Sequence, residues 1–129
     1  MQDCQVGVLG VGHMGKGIAS SYLRAGLQTG VYDIDPDRMR EMAQLDAELA
    51  ESPKELAERC DLISIVVRGE DHLEEAADGP NGLLAGAKPG TVLVIHTSTP
   101  PAYTNRLAER AAKQGVRVLE AAMTGGVAG

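Results

Sequence analysis

Aromatic residues are scarce in this sequence: Trp and Phe are absent, and 3 tyrosines are the only aromatic side chains among 129 residues. Few platforms are therefore available for stacking nucleobases. Basic residues are also outnumbered, with 12 Lys and Arg against 18 Asp and Glu and a formal net charge of -6. A chain of this sign repels a nucleic-acid backbone, so we expect no nucleic-acid partner.

Long hydrophobic runs and cysteines are also few. An apolar run such as residues 62–67 is too short to cross a bilayer, and no basic residues precede an apolar stretch at the N-terminus. The sequence therefore predicts a cytoplasmic protein with no membrane partner. Cys4 and Cys60 form no CxxC motif and no cluster with metal-ligand spacing, so we expect reduced thiols and no metal site.

Short apolar segments alternate with segments of helical periodicity along the chain. Strands are predicted at residues 5–9, 29–33, 47–50, 62–67, 91–95 and 117–120. Helices are predicted from Met14 to a Gly26 cap, over 35–44, from a capping box at 52–55, over 70–77 and over 100–114. This alternation implies right-handed crossovers and a parallel sheet covered on both faces. We therefore expect one α/β domain over 1–129.

A glycine-rich loop follows the first predicted strand and opens the first helix. Its sequence, residues 10–15, is GVGHMG and matches GxGxxG. In this context the first glycine makes the tight turn, the second lets a pyrophosphate approach, and the third lets the helix pack on the strand. The motif predicts a Rossmann-type doubly wound sheet with strand order 3-2-1-4-5-6. The cofactor contacts predicted in the loop are Gly10, Gly12, His13, Met14 and Gly15.

A phosphate-binding P-loop is the alternative interpretation of this segment, because Gly10, Gly15 and Lys16 fit GxxxxGK. A P-loop needs Ser or Thr at the next position to hold magnesium, whereas this chain has Gly17. The second predicted strand ends in Asp33, the group expected to bind the adenosine ribose hydroxyls and to repel a 2′-phosphate. We therefore favour a dinucleotide, with NAD preferred to NADP, and expect a solvated Lys16.

The same strand order places the first and fourth strands side by side. Cys4 and Cys60 each precede one of these strands. We therefore expect the two thiols to be neighbours at the amino end of the sheet, away from the edge where ligands bind.

Five segments of the chain, taken in order, carry a family resemblance. They are LGVGHMGKGIASSYLRAG, VYDIDP, DLISIVV, GPNGLLAGAKPGTVLVIHTSTPP and LEAAMTGGVAG. Together they resemble the N-terminal NAD-binding half of the β-hydroxyacid dehydrogenases, the family of 3-hydroxyisobutyrate dehydrogenase, tartronate semialdehyde reductase and 6-phosphogluconate dehydrogenase. The resemblance implies an NAD-dependent oxidoreductase with a small 3-hydroxy acid substrate, and it does not separate the 3-hydroxyisobutyrate type from the tartronate semialdehyde type.

The resemblance also implies further site residues. Val67 and Arg68 would flank the adenine ribose and pyrophosphate, and Thr99 would contact the nicotinamide end. The family's substrate loop falls on residues 120–126, where Glu, Ala and Met replace the usual Asp, Pro and Val, and where a threonine replaces the usual serine. The implied substrate contacts are Ser98, Thr124, Gly125 and Gly126.

No catalytic residue is assigned within the chain. His96 stands where the family more often has Asp, but a lone His at a strand end is more often structural. The resemblance places the general acid/base lysine on a helix after the substrate loop, and neither Lys88 nor Lys113 matches it. We therefore expect the family's helical second domain to be absent from this chain and the chain alone to be inactive.

Two functions stay open on this evidence. One is a part of a 3-hydroxyacid dehydrogenase, and the other is a stand-alone dinucleotide-binding module without catalysis. Apolar surface exposed at the carboxyl edge would favour association. Two outcomes therefore stay open: homo-oligomers that form through this edge, and disorder after about residue 120.

Overall fold

Six parallel strands form one sheet in the part of the chain that the computed structural model describes, residues 1–96 and 100–121. Their order is β3-β2-β1-β4-β5-β6, so the predicted fold class and strand order are confirmed. The strands are β1 (Cys4–Leu9), β2 (Thr29–Tyr32), β3 (Glu48–Leu49), β4 (Cys60–Ile65), β5 (Val92–Ile95) and β6 (Arg117–Glu120).

Helices cover both faces of this sheet, as predicted. They are α1 (His13–Arg24), α2 (Pro36–Gln44), α3 (Pro53–Arg59), α4 (Glu70–Ala77), α5 (Leu83–Gly86) and α6 (Pro101–Ala112). Ala19 of α1 and Met42 of α2 pack with Val8 and Val31 in one buried cluster. The helices α3 to α6 contribute to a second cluster, which contains Leu56, Leu73, Leu83 and Leu107 packed with Ile63 and Leu93 of the sheet.

The carboxyl ends of the central strands lie in register. Leu9 of β1 pairs with Tyr32 of β2 and with Ile65 of β4, and Ile65 pairs in turn with Ile95 of β5. The residue after each of these strands therefore stands at one edge of the sheet. These residues are Gly10, Asp33, Val66 and His96.

Local capping sets where the helices begin and end. Asp35 caps α2 by accepting the Asp37 N–H at 2.9 Å, and Gly26, with φ +83°, follows the end of α1 as predicted. The capping box of α3 forms only in part as predicted. Ser52 Oγ accepts the Glu55 N–H at 3.1 Å, but the Glu55 carboxylate accepts the Glu51 N–H at 2.8 Å instead of the Ser52 N–H.

One strand was predicted with the wrong boundaries, and one short helix was not predicted. β4 spans Cys60–Ile65 and not 62–67, because α3 runs directly into the strand and Cys60 both caps α3 and begins β4. The short helix α5 was not predicted, since four residues between Gly82 and Ala87 are too few to display a helical period. Its Leu83 is fully buried in the larger cluster.

The two cysteines are direct partners across β1 and β4, which confirms the predicted proximity. Both are free thiols and both are buried. A Cβ added at Gly7 would lie 2.9 Å from Cys60 Sγ, so the missing side chain of Gly7 makes room for this thiol. Burial raises the pKa of both cysteines, which keeps them protonated and unreactive at neutral pH.

Candidate functional site

A cavity of about 1030 Å³ opens at the carboxyl edge of the sheet. It lies beside the ends of β1, β2 and β4, with Leu9, Tyr32 and Val66 in its wall. β1 has β2 on one side and β4 on the other, so the direction of the chain order reverses here. Open α/β sheets bind their ligands at such a reversal.

Two of the loop glycines are required by the fold around this cavity. Gly10 has φ +93°, and a Cβ there would overlap the carbonyl oxygen of Val66. A Cβ at Gly15 would overlap the carbonyl oxygen of Gly10, so a side chain at this position would push α1 away from β1. These two positions have the roles that the motif predicts for the first and third glycines.

Gly12 differs from the other two motif glycines because the fold does not require it. Its φ of -68° suits any residue, and the nearest atom to an added Cβ, at 3.5 Å, is Nη1 of the flexible Arg38 side chain. Gly12 nevertheless lines the cavity. The absence of a side chain here therefore serves access to the cavity and not packing.

The N-terminus of α1 faces the same cavity, since His13, Met14 and Gly15 all line it. Lys16 donates its N–H to the Gly12 carbonyl at 2.8 Å, and no side chain caps the helix. The N–H groups of the first turn consequently have no partner within the helix. Together with the helix dipole they form a site suited to an anion such as phosphate.

Asp33 is held in place at the end of β2 by two backbone hydrogen bonds. Its Oδ2 accepts the Val11 N–H at 2.8 Å and its Oδ1 accepts the Asp35 N–H at 2.9 Å. The residue is only 9% exposed, yet it lines the cavity. Each carboxylate oxygen can accept a second hydrogen bond, so Asp33 both ties the glycine loop to β2 and offers acceptors to a ligand.

The predicted cofactor contacts converge on this cavity. Eight of the nine line it: Gly10, Gly12, His13, Met14, Gly15, Asp33, Val67 and Arg68. The ninth, Thr99, and the four predicted substrate contacts, Ser98, Thr124, Gly125 and Gly126, lie outside the described residues.

Several cavity residues were not predicted from the sequence. Arg38 of α2 lies beside Asp33, and His72 and Glu75 of α4 line the opposite wall. For Arg38 a signal was available, because it stands three residues after Asp35 and so on the same helix face as that cap. The α4 residues gave no such signal, since their wall forms only when α4 folds over the end of β4.

His96 also lines the cavity, at the end of β5. Burial is the main cause that lowers the pKa of His96, and the nearby backbone of Ala121 partly opposes it. Among the described residues neither ring nitrogen has a hydrogen-bond partner. A neutral imidazole at pH 7 is therefore expected at this position.

None of the chain's lysines is in the cavity wall, as far as the described residues define it. Lys16 forms an exposed ion pair with Glu41 at 3.4 Å, which confirms the predicted solvated position. Lys88 Nζ donates to the Glu58 carbonyl at 2.8 Å, at the end of α3. Lys113 caps the end of α6.

The described residues hold no group of three or more His, Cys, Asp or Glu that could bind a metal ion. Within the same part of the chain, no helix is long and apolar enough to span a membrane.

The sheet order, the glycine loop and the fixed carboxylate at the end of β2 together define a Rossmann-type dinucleotide-binding domain. Comparison with known families identifies it further. The chain belongs to the family described as the NAD binding domain of 6-phosphogluconate dehydrogenase, whose profile matches residues 5–129. This confirms the resemblance to the N-terminal domain of the β-hydroxyacid dehydrogenases and with it the binding of a nicotinamide dinucleotide.

Two individual relatives are dehydrogenases by name. L-threonate dehydrogenase of Cupriavidus necator is 35% identical over 123 residues, which cover 95% of this chain and 41% of that protein. The structure of 3-hydroxyisobutyrate dehydrogenase from Salmonella typhimurium matches with a TM-score of 0.81 and 27% identity, over 90% of this chain and 40% of the other. The chain thus spans about two fifths of the length of these relatives.

An imine reductase from Myxococcus stipitatus is similar as well, and it has been solved with two cofactors. A variant in complex with NAD⁺ matches with a TM-score of 0.81 and 25% identity, over 92% of this chain and 40% of the other. A complex with NADP⁺ matches equally well, over 90% of this chain and 39% of the other. This domain type therefore accommodates either dinucleotide.

Proposed function

We propose that the chain binds NAD(H) in the cavity at the carboxyl edge and forms the dinucleotide-binding part of a 3-hydroxyacid dehydrogenase. The observation that carries the proposal is the hydrogen bond from the Val11 N–H to Asp33 Oδ2, because it joins the glycine loop and the acidic residue into one site. The names of two relatives, L-threonate dehydrogenase and 3-hydroxyisobutyrate dehydrogenase, support a hydroxy acid as the substrate class.

The residues fit such a cofactor by their chemistry. The uncapped first turn of α1 suits the pyrophosphate, and Gly12 leaves room for it. The acceptors of Asp33 suit the two adenosine ribose hydroxyls. The bound nicotinamide would supply the hydride chemistry. The neutral His96 would border the nicotinamide end of the cavity. The family resemblance implies the same position for Thr99.

Selection of NAD(H) over NADP(H) follows from the charge at the end of β2. Asp33 places a carboxylate in the cavity wall where the ribose is expected, and a 2′-phosphate would meet like charge there. We therefore propose that NAD(H) binds more tightly than NADP(H). The imine reductase complexes do not decide this point, since they contain both cofactors.

Asp33→Asn is expected to narrow this preference. The variant keeps the shape of the side chain but loses the charge. In the unaltered chain both oxygens of Asp33 accept a backbone N–H, and in the variant one of these N–H groups would face the amide nitrogen of Asn, which cannot accept a hydrogen bond. Since a hydrogen bond to a charged group contributes about 1.5–3 kcal/mol, NAD⁺ binding should weaken about tenfold or more, whereas NADP⁺ binding should change less.

Calorimetric titration of both dinucleotides into both proteins measures this effect. Asp37→Asn is the matched control, because it removes the same charge from an exposed position that does not line the cavity. Equal or tighter NADP⁺ binding by the unaltered chain would remove the basis for the proposed preference.

The proposed oxidation of a hydroxy acid also needs a general base that accepts the proton of the substrate hydroxyl as the hydride leaves. No lysine lines the cavity among the described residues, and the resemblance places the family's lysine after the substrate loop. Substrate contacts by Ser98, Thr124, Gly125 and Gly126 remain part of the proposal. A stand-alone binding module is the second candidate, and the observation that favours it is that no lysine lines the cavity among the described residues.

The 129-residue chain is accordingly expected to bind NAD(H) without turning over 3-hydroxyisobutyrate or L-threonate. A positioned general acid or base contributes a factor of about 10² to 10⁴, and no lysine lines the cavity among the described residues, so we expect no sustained turnover. An NADH absorbance assay checks this expectation. Sustained turnover that His96→Ala abolishes would show that the chain contains its own acid/base, and the assignment of proton transfer to a lysine elsewhere would then be wrong.

A further inference from the structure

His96 brings two unpaired polar atoms to the wall of the cavity. It follows β5 and lines the cavity, and its backbone N–H donates to the Ile65 carbonyl at 3.0 Å, which fixes its position beside the end of β4. Both ring nitrogens are buried, and neither has a hydrogen-bond partner among the described residues. Buried polar atoms of folded proteins are nearly always paired. The two nitrogens of His96 are therefore suited to pair with a molecule bound in the cavity.

The register of the sheet places His96 on the path of a bound dinucleotide. Asp33, Gly10, Val66 and His96 follow the adjacent strands β2, β1, β4 and β5, so they stand in that order along one edge. Adjacent strands lie about 4.8 Å apart, which separates the backbone at Asp33 from that at His96 by about 14 Å. A dinucleotide with its adenosine ribose on Asp33 and its pyrophosphate on the first turn of α1 therefore extends its nicotinamide toward the end of β5.

We propose that His96 is a specificity-determining residue, which hydrogen-bonds the carboxamide of the nicotinamide and thereby orients that ring in the cavity. This inference rests on the proposed function, since it assumes that the cavity binds NAD(H). It adds a side chain of this chain that recognises the reactive end of the cofactor, separately from the contacts of Asp33 and the glycine loop with the adenosine and the pyrophosphate.

The neutral imidazole matches a carboxamide in its hydrogen bonding. Burial lowers the pKa of His96, so at pH 7 one ring nitrogen carries a proton and the other has a free lone pair. A carboxamide likewise has N–H donors and a carbonyl acceptor, and it can pair with either tautomer of the ring. A neutral ring also places no positive charge beside the cationic nicotinamide of NAD⁺.

The other groups at this end of the cavity fit the role less well. Arg68 follows β4 and lines the cavity, but its guanidinium can only donate hydrogen bonds and would place a positive charge beside NAD⁺. Val66 and Val67 have no polar side-chain atom. The backbone of Ala121 lies near the imidazole but outside hydrogen-bond geometry. In the described part of the cavity wall, His96 is the neutral polar side chain at the end of β5.

ADP-ribose isolates the proposed contact, because it has the adenosine, pyrophosphate and second ribose of NAD⁺ but lacks the nicotinamide. Calorimetry gives the dissociation constants of both ligands for each protein. His96→Ala should weaken NAD⁺ binding about three- to tenfold, as the loss of one hydrogen bond implies, and should leave ADP-ribose binding unchanged. His96→Gln keeps a donor and an acceptor, so it should recover most of this loss. His72→Ala is the matched control, since it removes an imidazole from the opposite wall and should not change the ratio of the two constants.

Nuclear magnetic resonance of the imidazole nitrogens adds a measurement that needs no variant. NAD⁺ should shift the His96 signals of the unaltered chain more than ADP-ribose does. An unchanged ratio of the two dissociation constants in His96→Ala, or a loss in His96→Gln as large as in His96→Ala, would overturn the role of His96 while leaving the proposed function intact. Failure of the unaltered chain to bind NAD⁺ and ADP-ribose would instead overturn the proposed function, and this inference with it.

Discussion

Gly15→Ala is expected to destabilise the chain by about 3 kcal/mol, at the upper end for an overpacked site. The added Cβ would overlap the carbonyl oxygen of Gly10, which is backbone and cannot swing aside. α1 would have to move off β1, and the N–H groups of its first turn would move with it. Binding of a dinucleotide should therefore be lost together with much of the stability.

Gly17→Ala supplies the matched control, two residues further along the same helix. A Cβ at Gly17 would have no atom within 4 Å, and the residue is exposed within α1. Because Ala favours a helix interior over Gly by about 0.5–1 kcal/mol, this variant should be more stable than the unaltered chain. Urea unfolding monitored by circular dichroism measures both changes. Similar unfolding midpoints for the two variants would contradict the close packing of α1 on the glycine loop.

Much of the fold was predictable because its signals are local. The GxGxxG loop follows an apolar strand directly, and Asp33 ends the next strand, so sequence order alone indicated the sheet order and the cavity. The proximity of Cys4 and Cys60 then followed from topology without any contact information. Each of these predictions needed only neighbouring residues and one general rule of parallel sheets.

The remaining features depend on tertiary packing. His72 and Glu75 face the cavity only because α4 closes it. The single-turn helix α5 exists because Leu83 is buried against its neighbours and not because of a periodic pattern. Such features depend on long-range contacts, which no local sequence pattern encodes.

At Gly12 a large effect on binding is expected without an effect on folding. Gly12→Ala should fold normally, since the backbone there suits any residue and the added Cβ meets only the flexible Arg38 side chain. The same methyl group would stand where the pyrophosphate must approach the first turn of α1. Since each charge-assisted hydrogen bond contributes about 1.5–3 kcal/mol, loss of that approach should weaken NAD⁺ binding about 100-fold.

Calorimetric titration of NAD⁺ into the unaltered chain and into Gly12→Ala tests dinucleotide binding at the carboxyl edge of the sheet most directly. Circular dichroism first establishes that the variant has the same fold and thermal midpoint. We expect one saturable site per unaltered chain and a loss of about 100-fold in the variant. Absence of NAD⁺ binding by the folded unaltered chain, or equal affinity in the two proteins, would contradict it.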